Sequence, residues 1–127
     1  MKTDISSRED IYLIISEFYK KLLSDDLMLP FFEEIIAENS LEHHLEIITD
    51  FWQDIVFDSS IYKNNTMQKH LDKNVFVKFE RVHFTRWISY FFETIDALFT
   101  GVNTDKIKAR ATSIATVMQL KMNLYKK

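Results

Sequence analysis

The chain contains a single glycine, Gly101, and a single proline, Pro30, among its 127 residues. Sheets built from hairpins depend on these residue types for their tight turns, so such a fold is disfavoured. Of all residues, 46% are apolar, including 11 phenylalanines, and a chain of this length can bury a substantial core. The sequence therefore predicts an all-α fold of helices joined by polar connectors, in one domain over residues 1–127.

Apolar residues recur at helical spacing in four long segments, and two short helices are expected between them. The short ones open near Pro30 and Thr66. Gly101 is expected at the C′ position after the third long helix. The expected boundaries are Ser6 or Ser7 as the first N-cap, Ser40 as the second, Val77 to Phe99 for the third helix, and Asn103 or Thr104 as the last N-cap.

Several classes of protein are excluded by what the chain lacks. It has no cysteine, which rules out disulfides, zinc–thiolate sites and iron–sulfur clusters. Its start, MKTDISSRED, is too polar for a signal peptide, and no apolar run approaches the roughly 18 residues of a membrane span. The net charge of −3 does not favour nucleic-acid binding. A cytoplasmic protein with no membrane or nucleic-acid partner is expected.

Two adjacent histidines, His43 and His44, are predicted to face in different directions. His44 belongs to an apolar line at helical spacing, so it should point inward, whereas His43 lies about 100° away and should face solvent. Trp87 shares a similar line on the third long helix, and Tyr19 borders the apolar face of the first. A buried imidazole, indole or phenol needs a hydrogen-bond partner, and the simplest one is a backbone acceptor. The line that includes His44 is Leu41, His44, Ile48, Phe51 and Ile55.

The other two histidines lie in less regular surroundings. His83 ends a Glu-x-x-His element, ERVH, but a di-iron bundle needs that element twice, and no second copy is present. His70 lies in the polar stretch TMQKHLDKN, beside basic residues. Inward polar groups in an apolar domain, together with such a histidine, suit a large flat cofactor. Haem fits, because it needs an apolar cleft, basic groups for its carboxylates and an imidazole for its iron.

Five segments in order along the chain resemble a group III truncated globin over roughly residues 10–120. They are EFYKKLLSDDLMLPFFEEI, HHLEIITDFW, YKNNTMQKHL, HFTRWISYFFETIDALFTG and KARATSIA. The resemblance implies two helices packed over two around haem b. It also implies His70 as the proximal iron ligand and a distal group of Tyr19, His44 and Trp87. Cofactor contacts are expected from Phe32 and Ile48, and contacts to the haem propionates from Lys69, Tyr62 and Arg86.

The function implied by this resemblance is the binding of dioxygen, nitric oxide or another small diatomic ligand at the haem iron. Strong distal hydrogen bonding suits oxygen, nitric-oxide or peroxide chemistry better than bulk oxygen transport. The sequence leaves open whether the protein is an enzyme, by nitric-oxide dioxygenation or a peroxidase-like reaction, and whether a reductase serves it. The alternative is a cofactor-free helical bundle that binds a partner protein through its aromatic surface.

Overall fold

The computed structural model describes residues 2–59 and 80–121. In these two stretches every regular element is helical, as the sequence predicts. The elements are α1 (Arg8–Leu23), a 3₁₀ turn (Leu29–Phe31), α2 (Glu33–Ala37), α3 (Leu41–Phe57), α4 (Arg81–Leu98) and α5 (Val102–Lys121). None of the helices in the described stretches is both long and apolar enough to cross a membrane. The short helix expected from Thr66 lies outside the described residues.

The four long helices form two layers. Helices α1 and α3 pack against each other, and α4 and α5 do the same. The layers meet where α1 contacts α4 and where α3 contacts α5. This arrangement is the predicted two-over-two helical sandwich.

Helix α1 supplies the centre of the core. Its predicted apolar line is almost completely buried, from Ile11 to Leu22. Ser7 is the N-cap, as expected, and its hydroxyl accepts a hydrogen bond from the backbone N–H of Asp10. At the same end, Arg8 forms ion pairs with Glu46 and Asp50 on α3 at 2.8 and 2.7 Å. These contacts fix the register between α1 and α3.

Helix α3 is rotated slightly from the orientation that its sequence predicts. The expected inward line, which begins at Leu41, is half-buried. The most deeply buried residues are Leu45, Thr49, Trp52 and Val56. The rotation turns His44 and Ile48 away from the centre of the core and towards its edge. Ser40 occupies the N-cap position, but its side chain makes no capping hydrogen bond to the helix.

The joint between α4 and α5 differs from the expected C′ glycine. Helix α4 ends at Leu98, and Phe99 and Thr100 precede Gly101, which has a φ of +143°. A Cβ atom at Gly101 would lie 2.4 Å from the Cγ atom of Asp4. Glycine is therefore required because the N-terminal segment passes close to this backbone.

Asp4 caps α5 in place of the predicted Asn103 or Thr104. Its carboxylate accepts hydrogen bonds from the backbone N–H groups of Asn103 and Thr104, both at 2.9 Å. It also accepts one from the Thr104 hydroxyl at 2.8 Å. A side chain about 100 positions away in the sequence thus does the work of a local cap.

Candidate functional site

Two neighbouring residues of α1 project to different sides of the core. The ring of Phe18 faces α4 and lies 5.7 Å from the ring of Trp87 and 4.8 Å from that of Phe91, between centroids. The ring of Tyr19 faces the 3₁₀ turn and α3. Because the Phe18 and Tyr19 rings also touch edge to face at 5.6 Å, the two sides share one continuous aromatic wall.

The structure brings together two of the three predicted distal residues. The Tyr19 hydroxyl and His44 Nε2 are 2.8 Å apart, and which of them donates the hydrogen bond depends on the imidazole tautomer. Phe32 closes this pair in, with its ring centroid 5.3 Å from Tyr19 and 6.4 Å from His44. Tyr19 comes from α1, His44 from α3 and Phe32 from the end of the 3₁₀ turn. We call these three side chains the pocket group.

The chemistry of the pocket group depends on the buried phenol of Tyr19. This residue is 6% exposed, and burial raises the pKa of its hydroxyl above the usual value. The phenol therefore stays protonated at neutral pH. A hydroxyl can donate one hydrogen bond and accept others, and within the described stretches His44 is its sole partner. The Tyr19 oxygen has capacity left for a second polar group.

Trp87 reaches the aromatic wall but not the hydrogen bond of the pocket group. Its indole stacks on Phe91 at 5.5 Å between centroids and meets Phe18 edge to face. The indole is half-buried, and no residue of the described stretches accepts a hydrogen bond from its Nε1. It is a donor on the edge of the same wall, one helix away from Tyr19.

Ile48 lies one turn after His44 on the half-buried line of α3. It packs against the edge of the core rather than within it, as do its neighbours on that line, Leu41, Phe51 and Ile55. An apolar line that stays partly exposed leads away from the imidazole along the helix. Apolar side chains of this line therefore follow His44 along α3.

Comparison with known proteins shows what this chain is similar to. No family model matches the chain. The chain is 26% identical over 121 residues to the curated group 3 truncated hemoglobin ctb of Campylobacter jejuni, covering 94% of this chain and 93% of that protein. It also superposes on the crystal structure of group III truncated hemoglobin from Campylobacter jejuni with a TM-score of 0.87 and 25% identity, over 100% of this chain and 99% of that one.

The chain has the truncated globin fold and is similar to group III truncated hemoglobins. Both comparisons span nearly the whole chain, so the likeness covers the complete two-over-two sandwich rather than one helical pair. The resemblance found in short segments of the sequence and the predicted fold are both confirmed.

In this protein, Arg86 is engaged by an acidic side chain. Its Nη1 donates to Asp25 Oδ2 at 2.5 Å, and the Tyr90 hydroxyl donates to the same oxygen at 2.5 Å. The hydrogen bond from Tyr90, together with that from Arg86, lowers the pKa of Asp25 to about 2 against the effect of its burial. The Arg86 side chain is 46% exposed and keeps further N–H groups for other partners. Its expected contact to a propionate stays a prediction.

The role of Asp25 as an acceptor at this position was not predicted from the sequence. This residue stands in the polar connector LSDDLMLP and looks like a solvated loop residue, yet its side chain is 7% exposed. The available signal was the helical spacing of Arg86 and Tyr90, which places two donors on one face of α4.

The remaining predicted site residues divide between the two parts of the chain. His70, Lys69 and Tyr62 lie outside the described residues. His43 is exposed, as its position on α3 predicts. His83 is buried and has a local role, because its Nδ1 accepts the backbone N–H of Glu80 at 2.8 Å in a capping box at the start of α4.

Proposed function

We propose that this truncated globin binds haem b and holds a small diatomic ligand beside the pocket group. The observation that carries the proposal is the part-buried Tyr19–His44 hydrogen bond beside Phe32, in a chain similar to group III truncated hemoglobins. Haem supplies an iron atom that holds dioxygen, nitric oxide or carbon monoxide and shifts electron density onto bound dioxygen. The described residues supply the polar and apolar groups around that ligand.

The described residues fit the distal side of such a cofactor. Its ring needs apolar walls, and the half-buried line of α3 with Ile48 offers one next to Phe32. Its ligand needs a few donors in otherwise dry surroundings, and Tyr19 has hydrogen-bonding capacity left. On the proximal side we propose His70 as the iron ligand, through a neutral imidazole. Lys69, Tyr62 and Arg86 are the proposed propionate contacts.

The direction in which the Tyr19 hydroxyl donates its single proton determines whether it can form a hydrogen bond to a ligand. If the phenol donates to His44 Nε2, that proton is not available to a ligand. If instead His44 Nε2–H donates to the phenol oxygen, the hydroxyl proton is free to point into the pocket. We assign the second arrangement to the ligand-bound protein. Burial raises the pKa of Tyr19, so the phenol keeps its proton in either arrangement.

Trp87 is the proposed second donor. Its Nε1–H accepts nothing and can only donate, so a ligand with developing negative charge is a suitable partner. Hydrogen bonds to charged acceptors contribute about 1.5–3 kcal/mol each. Two such donors would slow the release of dioxygen, which suits dioxygen, nitric-oxide or peroxide chemistry better than transport. A reductase is the partner that such redox turnover would need.

The test is a titration of the purified protein with hemin, followed by absorption and by thermal melting. The proposal predicts a Soret band that saturates at one haem per chain. A ligand whose free concentration is about 100 times its dissociation constant adds about 2.7 kcal/mol to the free energy of unfolding. The melting temperature should therefore rise by several degrees. A protein that melts identically with and without hemin, and shows no saturable band, would instead be a cofactor-free bundle.

A further inference from the structure

The connector between α1 and α2 is organised by one side chain. Asp25 follows the end of α1, and its Oδ1 accepts the backbone N–H of Leu27 at 2.8 Å. Its backbone carbonyl accepts the N–H groups of Met28 and Leu29 at 3.0 and 2.8 Å. The series continues with the Phe31 N–H, which donates to the Met28 carbonyl at 3.2 Å, and with the N–H of Phe32 of the pocket group, which donates to the Leu29 carbonyl at 2.9 Å. The position of Phe32 therefore depends on the turn that Asp25 begins.

The second carboxylate oxygen of Asp25 ties this connector to α4. Oδ2 accepts from Arg86 Nη1 and from the Tyr90 hydroxyl, both at 2.5 Å. Arg86 directly precedes Trp87, and Tyr90 follows it by three residues, so the two donors lie on either side of the indole along the helix. The carboxylate itself is 7% exposed. One buried side chain thus joins the segment that carries Phe32 to the segment that carries Trp87.

We propose that Asp25 is a positioning residue for the ligand pocket, acting through Phe32 on one side and Trp87 on the other. The inference rests on the proposed function, because it concerns the geometry in which Tyr19, His44 and Trp87 meet a ligand. Asp25 touches none of these three. It holds their supports together by accepting hydrogen bonds from two elements of the chain, one from the connector and two from Arg86 and Tyr90 on α4.

The sharpest variant is Asp25→Asn, which preserves size and shape. An amide has one acceptor oxygen and one donor nitrogen. Its N–H groups would therefore face another donor, either the backbone N–H of the connector or the N–H and O–H groups on α4. Either the connector or α4 is then released. Tyr90→Phe is the milder variant, because it removes one donor and leaves the Arg86 pair intact.

Asp4→Asn is the matched control. Asp4 is also a carboxylate that accepts several hydrogen bonds, but all of them come from the start of α5 and from Ile5. It should cost stability without changing the pocket. Tyr19→Phe is the control for the proposed function itself.

Two measurements separate positioning from general stability. The first is amide hydrogen exchange in the haem-loaded protein. Asp25→Asn should speed exchange at Phe31 and Phe32 by about tenfold or more relative to wild type, and Asp4→Asn should not. The second is the ratio of dioxygen to carbon monoxide dissociation rates, together with the infrared C–O stretching band. Asp25→Asn should raise that ratio about threefold or more and shift or broaden the band, with Tyr90→Phe changing both in the same direction to a smaller extent.

Each result bears on one of the two proposals. If Asp25→Asn and Asp4→Asn lower stability alike and leave the ratio and the band unchanged, while Tyr19→Phe changes them, Asp25 is only structural and the inference fails. If Asp25→Asn does not fold, Tyr90→Phe decides by the same criteria. If Tyr19→Phe also leaves the ratio and the band unchanged, the proposed function is wrong, and the inference, which rests on it, is wrong as well.

Discussion

Buried and half-buried polar groups occur in two contrasting settings in this protein. At the helix joints, the carboxylates of Asp4 and Asp25 are each surrounded by three or more donors. At the pocket group, the hydrogen bond between Tyr19 and His44 is bordered by aromatic rings. The joints are saturated with hydrogen bonds, whereas the Tyr19 oxygen keeps spare capacity. Saturated carboxylates suit a frame, and an unsaturated neutral donor suits a ligand site.

The contrast has an electrostatic reason. A buried carboxylate is tolerated only when several donors replace its water, and the lowered pKa of Asp25 reflects such replacement, first by Tyr90 and then by Arg86. A carboxylate in the pocket would oppose electron density on a ligand. A protonated phenol has no such charge, and burial raises its pKa, so it can donate without an ionic partner.

The largest expected effect comes from the proposed iron ligand. His70→Ala should lose most of its haem, because it removes the imidazole proposed to bind the iron, and its haem affinity should fall by at least about tenfold. His43→Ala, at an exposed position of α3, should retain haem as wild type does. Haem transfer to an acceptor globin measures both. Equal retention in the two variants would mean that the proximal assignment is wrong.

A smaller effect should follow from cutting the frame at Asp4. Asp4→Ala removes four hydrogen bonds around the start of α5 and should lower the free energy of unfolding by about 1–2 kcal/mol. Urea denaturation measures it. The rate of ligand dissociation should stay unchanged, because the substitution does not alter the pocket group. A marked change in that rate would show that the helix joint also influences ligand binding.

Gly101→Ala tests the same joint at the start of α5. The added Cβ would collide with the Asp4 carboxylate, and a φ of +143° is strained for any side chain. The variant should therefore lose at least as much stability as Asp4→Ala. In the double variant the two losses should not add, because the collision needs the carboxylate. Strict additivity in denaturation experiments would show that backbone strain alone requires the glycine.

The smallest effect concerns His83 and pH. Burial lowers the pKa of His83 below the usual value near 6.5 in the folded protein. The unfolded chain therefore binds the proton more tightly, and stability present above about pH 6.5 is lost as the pH falls below it. His83→Asn should be less stable at neutral pH but should show a shallower loss between about pH 7 and 5. Urea midpoints across this range provide the test; an unchanged slope would exclude His83 as a source of acid sensitivity.

The local parts of this account were accessible from the sequence. Helical spacing alone separated the exposed His43 from the inward His44, and it identified the buried line of α1. It did not foresee that α3 would turn so that Leu45 and Trp52 face the core. That rotation depends on how α3 packs on both α1 and α5, which no single-helix pattern contains.

The long-range polar contacts could not be predicted for a related reason. Capping rules consider residues adjacent to a helix end, so they proposed Asn103 or Thr104, whereas the acceptor is Asp4. The ERVH element was recognisable as Glu and His three apart, and its true role is a capping box of Glu80 and His83. In both cases the residue types were correct for hydrogen bonding, and only the fold determined the partner.

We propose that the uncharged donor Tyr19 interacts with a haem ligand, whereas the carboxylates at the helix joints hold the helices in place. The most direct test is stopped-flow measurement of dioxygen and carbon monoxide dissociation in wild type and Tyr19→Phe. The substitution removes only a hydroxyl, so packing against Phe18 and Phe32 should survive. We expect dioxygen to leave about tenfold faster or more, equivalent to about 1.4 kcal/mol, with little change for carbon monoxide, which carries less charge. A dioxygen rate within about twofold of wild type, or equal changes for both gases, would contradict the claim.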